Sequence, residues 1–119
     1  MEEAMTPKQA AGKLCEAIHA CEEYKTYEEL KKRVTEDETN RALLKEYSRL
    51  STSLQVAAMS GTEAEGTEVQ RFQQLSSLLY MNQDTAAYLV AQLRLQKLVG
   101  EVFGLVAQGS GLELNFPGM

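Results

Sequence analysis

The chain contains no tryptophan, and all aromatics together make up only 7% of its 119 residues. Any core must therefore be mainly aliphatic, which suits helices packed on helices. Two cysteines are too few for a disulfide framework and fit a reducing compartment. No run of 18 apolar residues is present, so no membrane insertion is expected. Met1-Glu2-Glu3 carries the wrong charge for a secretory signal. These absences together point to the cytoplasm. Positive charge is also short. At a net −5 the chain lacks the basic footprint that a nucleic-acid backbone requires.

What remains is helical patterning. Thr6-Pro7-Lys8-Gln9 reads as a helix start, with Thr6 as cap and Gln9 closing a capping box. Ala10, Leu14, Ala17, Ile18 and Cys21 then share one face. Glu22-Glu23-Tyr24-Lys25 breaks that pattern, and Thr26 with Glu29 forms a second capping box for a short helix to about Val34. Asp37 is the next cap. Leu43, Tyr47, Leu50, Leu54 and Ala57 follow in alternating steps of four and three, a heptad seam along a helix over 38–59. Residues 60–66 form a loop. Val69, Phe72, Leu75, Leu79 and Tyr80 mark another helix, and Asp84 is placed to cap a last one running to about Ala107. Two long helices of matched length point to a bundle. The expected fold is all-α: a bundle of four to five helices with no sheet. It forms a single domain over 1–119, with the bundle at 6–107 and an extended C-terminal tail at 108–119. Leu112, Leu114 and Phe116 would present one apolar side of that tail.

Catalytic and metal chemistry find little support. Cys15 and His19 are helical neighbours, but Cys21 falls about 120° from Cys15 and inside the apolar stripe, and a tetrahedral site needs more ligands. The single histidine sits on the solvent side. No nucleophile elbow, phosphate loop or dinucleotide fingerprint occurs. The carboxylates fall on polar faces where ordinary pKa values are expected. No catalytic residue, metal or cofactor is assigned.

The last helix holds the main puzzle. Ala91, Leu95, Leu98, Val99, Val102, Phe103 and Val106 form one broad face, enough to cover an intramolecular core. Leu89, Leu93, Gly100, Gly104 and Ala107 form a second strip about 100–160° away from Tyr88. A helix that is apolar on two sides should be buried on two sides. Glycine costs a helix interior about 0.5–1 kcal/mol relative to alanine. Gly100 and Gly104 are therefore either tolerated or present to let another backbone approach. The strip is the candidate interface for a subunit or partner, in a homodimer or higher homo-oligomer. The N-terminal helix of the same chain is the alternative occupant.

The order of Glu23-Tyr24, Tyr27, Asp37, Leu43-Leu44, Glu46-Tyr47, Leu54-Gln55, Gly61, Asn82, Tyr88-Leu89, Leu98-Val99 and Glu101-Val102 resembles the YlbF/YmcA family of small helical bacterial regulators, across roughly Gln9 to Ala107. Two positions depart from that pattern: Gln83 stands where the family usually has proline, and Gln92 where an acidic residue is usual. Some members bind an iron–sulfur cluster through C-terminal cysteines. Residues 108–119 contain no cysteine, so that cofactor does not carry over. The resemblance implies a non-catalytic regulator acting through protein contacts in competence, sporulation or biofilm development. It also implies a complex that modulates RNA processing by ribonuclease Y. The competing reading is a nucleic-acid-binding regulator using Lys31, Lys32, Arg33, Arg41 and Arg49. Acidic charge and the lack of exposed stacking aromatics oppose it.

Overall fold

The computed structural model describes residues 4–111. Among them there are five helices and no strand: α1 (Pro7–Ala20), α2 (Glu22–Glu36), α3 (Glu38–Ser60), α4 (Gly66–Met81) and α5 (Gln83–Gly109). The expected tail anchors Leu112, Leu114 and Phe116 lie outside the described residues.

Helix ends follow local chemistry. At α1 the Gln9 amide donates to the Thr6 hydroxyl and the Gln9 side chain accepts from the Thr6 amide, closing the anticipated box. Asp37 accepts from the Asn40 amide at 2.9 Å and caps α3. Gly61, at φ 71°, ends α3 in the left-handed conformation that a side chain would resist. α5 continues through Gln108 to Gly109, into the stretch expected as tail, and α4 begins at Gly66, the last residue of the expected loop; two helix starts also differ from the sequence reading. The break between α1 and α2 is the single extended residue Cys21, and Thr26 lies inside α2. Glu22 and Glu23 favour the positive end of a helix dipole, so α2 begins a turn earlier than its apolar pattern suggests. The cap of α5 is Asn82, whose side-chain oxygen accepts from the amides of Asp84 and Thr85. Asp84 instead occupies the first turn.

Two antiparallel pairs organise the chain. In one, α2 runs along α5: the Tyr27 and Tyr88 rings stack at 5.5 Å and Arg33 approaches Asp84 at 3.9 Å. In the other, α3 runs along α4. Tyr47 stacks on Phe72 at 4.9 Å, Arg71 makes a two-pronged bond to Glu46, and Ser53 donates to Glu68. The pairs join where α2 and α4 end and α5 begins. Val34, Leu50, Leu75, Leu79 and Leu89 are buried around this joint, as is Thr85, while Ala91 is buried further along α5 opposite the start of α2. The Thr85 hydroxyl donates to the Leu79 carbonyl, so the one buried polar side chain among the described residues is satisfied. The α3 heptad seam is the contact with α4, with Leu50 its enclosed centre. α1 packs on α2 and buries no residue completely.

The molecule is flat and open. Its radius of gyration is 17.9 Å, with extents of 59 × 37 × 16 Å. A compact chain of this length would have a radius of gyration of about 14 Å. Its accessible surface is 9289 Å², against about 6,400 Å² for a compact monomer of this mass. The difference, about 2,900 Å², exceeds what the eleven residues outside 4–111 would add even at an unfolded-chain value of about 160 Å² each.

Candidate functional site

Beyond the joined end, α3 and α5 part and leave a cleft of about 210 Å³. Ser48, Ser51, Thr52 and Gln55 face it from α3, and Gln92 and Gln96 from α5. Leu44 and Leu89 supply its apolar part, and Tyr47 and Tyr88 also line it. No aspartate, glutamate, lysine, arginine or histidine takes part. Burial, then the adjoining Tyr27 hydroxyl 3.5 Å away, push the Tyr88 phenol above its ordinary range. Burial does the same to Tyr47, with Tyr80 adding to it. Both phenols therefore stay neutral at physiological pH. The cleft is a neutral surface of amides and hydroxyls, each able to donate and accept hydrogen bonds.

Outward from the cleft the exposed residues become apolar. Met59 near the end of α3 is 70% exposed. On α5, Val99 and Val106 are exposed as well. The sequence reading had assigned these two valines, and Phe103, which is 45% exposed, to the internal face. In the structure, Ala91 is buried and Leu95, Leu98 and Val102 are partly shielded, while Val99 and Val106 lie further round the helix.

The candidate strip is divided by the fold. Leu89 is buried inside its own chain at the α4–α5 junction, and Ala107 is also buried. Neither offers free surface. Leu93 is 57% exposed, and a Cβ at Gly100 or Gly104 would meet no atom within 4 Å. Gly100, Gly104, Lys97, Glu101 and Leu105 border an open concavity of about 830 Å³. The N-terminal helix does not cover these glycines: α1 packs on α2.

The cleft was missed because its Ser, Thr and Gln residues read as ordinary polar flanks of the seam. A signal was present in the charges. No Asp, Glu, Lys or Arg occurs in 51–60, 72–81, 85–93 or 102–109. Such long uncharged stretches are unusual for helix faces meant to stay in water. They contain Val56, Met59, Leu78, Met81, Val90 and Leu93, all exposed in this chain.

The remaining candidates stay apart from the cleft. Cys15 is exposed and Cys21 sits at the α1–α2 joint, while the His19 ring lies 4.5 Å from that of Tyr24. Among the described residues no three histidine, cysteine or acidic side chains are grouped to hold a metal ion. The basic residues have acidic company: Arg33 approaches Asp84, Arg41 approaches Glu38, and Arg49 acts on Glu46. Lys31 lies 5.8 Å from the centre of the Tyr27 ring. The expectation of ordinary carboxylate pKa values fails at Glu46. The Arg71 hydrogen bond holds it below its usual range.

A family model described as control of competence regulator ComK, YlbF/YmcA, matches residues 8–109. The chain belongs to the YlbF/YmcA family. Its relatives include a UPF0342 protein of Caldicellulosiruptor bescii, 24% identical over 97 residues and covering 82% of each chain. A UPF0342 protein of Halothermothrix orenii is 25% identical over 105 residues, covering 88% of this chain and 87% of that one. Among solved structures, a DUF964 protein of unknown function from Bacillus stearothermophilus superposes with a TM-score of 0.71 at 19% identity. That match covers 87% of this chain and 91% of the other. It shows that the helical architecture is shared. In this YlbF/YmcA-family chain Gln83 opens α5 directly after the Asn82 cap. Gln92 is one of the neutral residues of the cleft. Among the described residues no helix is long and apolar enough to cross a membrane.

Proposed function

We infer that this chain is a non-catalytic cytoplasmic regulator that works by binding other proteins. The supporting observation is the distribution of apolar surface: a small core at one end, and large aliphatic side chains exposed along the uncharged parts of α3, α4 and α5. Contiguous exposed apolar surface on a soluble domain marks an interaction site. Membership in a family described by control of a competence regulator supports a regulatory role for such binding. By the same likeness, competence, sporulation, biofilm development and a ribonuclease Y-associated complex are the settings in which to look for the partner.

Tagged full-length protein should retain a defined partner from native extract. That retention should be lost on replacing exposed Leu93 with aspartate, but not on replacing exposed Lys8. The competing reading is tested by titrating RNA and DNA at several salt concentrations. Micromolar affinity at physiological salt, with a steep salt slope that weakens when Lys31 and Lys32 become alanine, would overturn the protein-contact reading.

A further inference from the structure

We propose that residues 112–116 fold back along the outside of α5 and fill the concavity over Gly100 and Gly104. Leu114 then sits on Gly104, and Phe116 sits on Gly100. The contact is internal to the chain, and it holds whether or not the protein is a regulator.

The receiving surface is a row of missing side chains. Gly100 and Gly104 stand about one turn apart on α5, and Gln108 is the next member of the same row. Among the described residues nothing lies within 4 Å of where a Cβ would be at either glycine. Phe103 and Leu105 border the concavity, and Leu105 is 69% exposed. Lys97 and Glu101 add one charge of each sign to its edge. The N-terminal helix leaves the row open, because α1 packs on α2.

The segment that follows α5 fits this row in pattern, direction and length. Leu112, Leu114 and Phe116 alternate with Glu113 and Asn115. An extended backbone therefore turns three apolar side chains to one side and the polar pair to water. Direction is set at the helix end. Gly111 has φ 73°, in the left-handed region, and its amide donates to the Gln108 carbonyl at 3.3 Å. A glycine in that conformation just past a helix turns the chain off the axis and brings the next residue against the last turn. Length then fixes the register. An extended chain advances about 3.3 Å per residue, and a helix about 1.5 Å. Leu114 and Gly104 both fall about 10 Å from Gly111, and Phe116 and Gly100 both about 16 Å. The match persists along the row, because two extended residues span about 6.6 Å and four helical residues about 6 Å.

The tether selects the chain's own segment over a separate molecule. Only Ser110 and Gly111 stand between α5 and Leu112. The apolar residues are thereby held beside the row at an effective concentration on the order of millimolar. A larger side chain at 100 or 104 would take the space of Phe116 or Leu114, which gives the two bare positions a purpose. A partner that is to lie along this row must first displace the segment.

The chain has no tryptophan, so Phe116→Trp supplies a single fluorescent reporter in the full-length protein. Its emission should be blue-shifted, and its quenching by acrylamide several-fold weaker, relative to a free peptide of residues 110–119 with the same substitution. Adding Gly104→Leu fills the place of Leu114 and should return both readings to those of the peptide, with helix retained by circular dichroism. Adding Gly12→Leu, on exposed α1, should leave both unchanged. A nitroxide at Glu101→Cys, in the reporter protein carrying Cys15→Ser and Cys21→Ser, identifies whose segment it is. Its quenching of the indole should survive refolding with an excess of wild type. In wild type itself, nuclear Overhauser contacts should join Leu114 methyl and Phe116 ring protons to the α protons of Gly104 and Gly100. These contacts decide the matter where the larger indole fails to seat. Their absence overturns the inference, as does an indole that stays shielded beside Gly104→Leu. Nitroxide quenching that excess wild type abolishes also overturns it, and would give the row to a second copy. None of these outcomes touches the regulatory reading, which stands or falls on partner capture and the nucleic-acid titration.

Discussion

The two ends of this molecule are built from the same helices, yet they solve different problems. At the closed end four helices converge, so Val34, Leu50, Leu75, Leu79 and Leu89 enclose one another and even a threonine hydroxyl is fully satisfied. At the open end the same α3 and α5 have drawn apart, and Met59, Val99 and Val106 face outward. Enclosed side chains are concentrated at the first, and exposed aliphatic ones lie along the second as well as on the outer face of α4 at Leu78 and Met81. Burying an aliphatic side chain contributes about 1.5–3 kcal/mol, and a chain with so few enclosed residues has little stability to spare. Substitutions at the closed end should therefore act on folding, and substitutions at the open end on association.

The sharpest way to break this contrast is Leu50→Asp. Leu50 is 1% exposed at the centre of the α3–α4 seam, and a carboxylate there has no partner. The expected loss exceeds about 4 kcal/mol, enough to abolish the fold. Circular dichroism should show little residual helix at 25 °C. A folded variant would mean that the closed end is not the seat of stability.

Thr85→Val is a milder probe of the same end. It keeps the shape of the side chain but removes the hydroxyl that donates to the Leu79 carbonyl, leaving a buried acceptor to find another partner. A loss of about 1–3 kcal/mol is expected from denaturant unfolding. The solution mass at concentrations where the protein remains folded should not change.

What could be read from sequence is local or periodic, at whichever end it lies: the Thr6 box, the Asp37 cap, the left-handed Gly61 and the seam through Leu50 each announce themselves within one helix. The open end depends on how far α3 and α5 diverge, and no periodicity in either helix carries that angle. Leu89 and Leu93 illustrate the gap. They share one strip on the wheel, but α4 packs near the start of α5, so the first is buried and the second is not. Arg71 and Glu46 sit on different helices, and nothing in either pattern pairs them. Only the missing charges in 51–60 and 102–109 hinted that these segments seek cover.

Glu46→Gln examines the side of the α3–α4 pair that lies between the two ends. Arg71 holds the Glu46 carboxyl below its ordinary value of 4.5. A depressed folded-state pKa adds stability above the unfolded value, and that contribution disappears as pH falls through the folded one. Wild type should therefore lose part of its stability below about pH 4.5, and the Gln variant should show a shallower acid limb. The pair is exposed to solvent, so the effect should shrink further in high salt. Thermal melts between pH 3 and 7 decide this; identical acid limbs would remove any role for the pair in holding α3 to α4.

The smallest change expected in folding is a gain, and it separates the glycines by what surrounds them. Gly12 lies in the exposed helix α1, and Gly100 and Gly104 lie in the open half of α5; none would meet an atom within 4 Å on acquiring a Cβ. In helix terms all three are alike. Alanine at any of them should raise helix stability by about 0.5–1 kcal/mol. A segment folded back over α5 would make them differ. Gly12→Leu should then raise the melting temperature, because leucine forms helix better than glycine. Gly104→Leu should gain the same helix but lose the contact of Leu114, so its melting temperature should rise less or fall. In a Leu114→Ser background that contact is already gone, and the two glycine variants should give equal gains. Melts of both variants in both backgrounds distinguish the cases. If Gly104→Leu behaves like Gly12→Leu in both, Gly104 is an ordinary helix glycine. Matching melts would leave the open end of α5 without the role that its bare positions suggest.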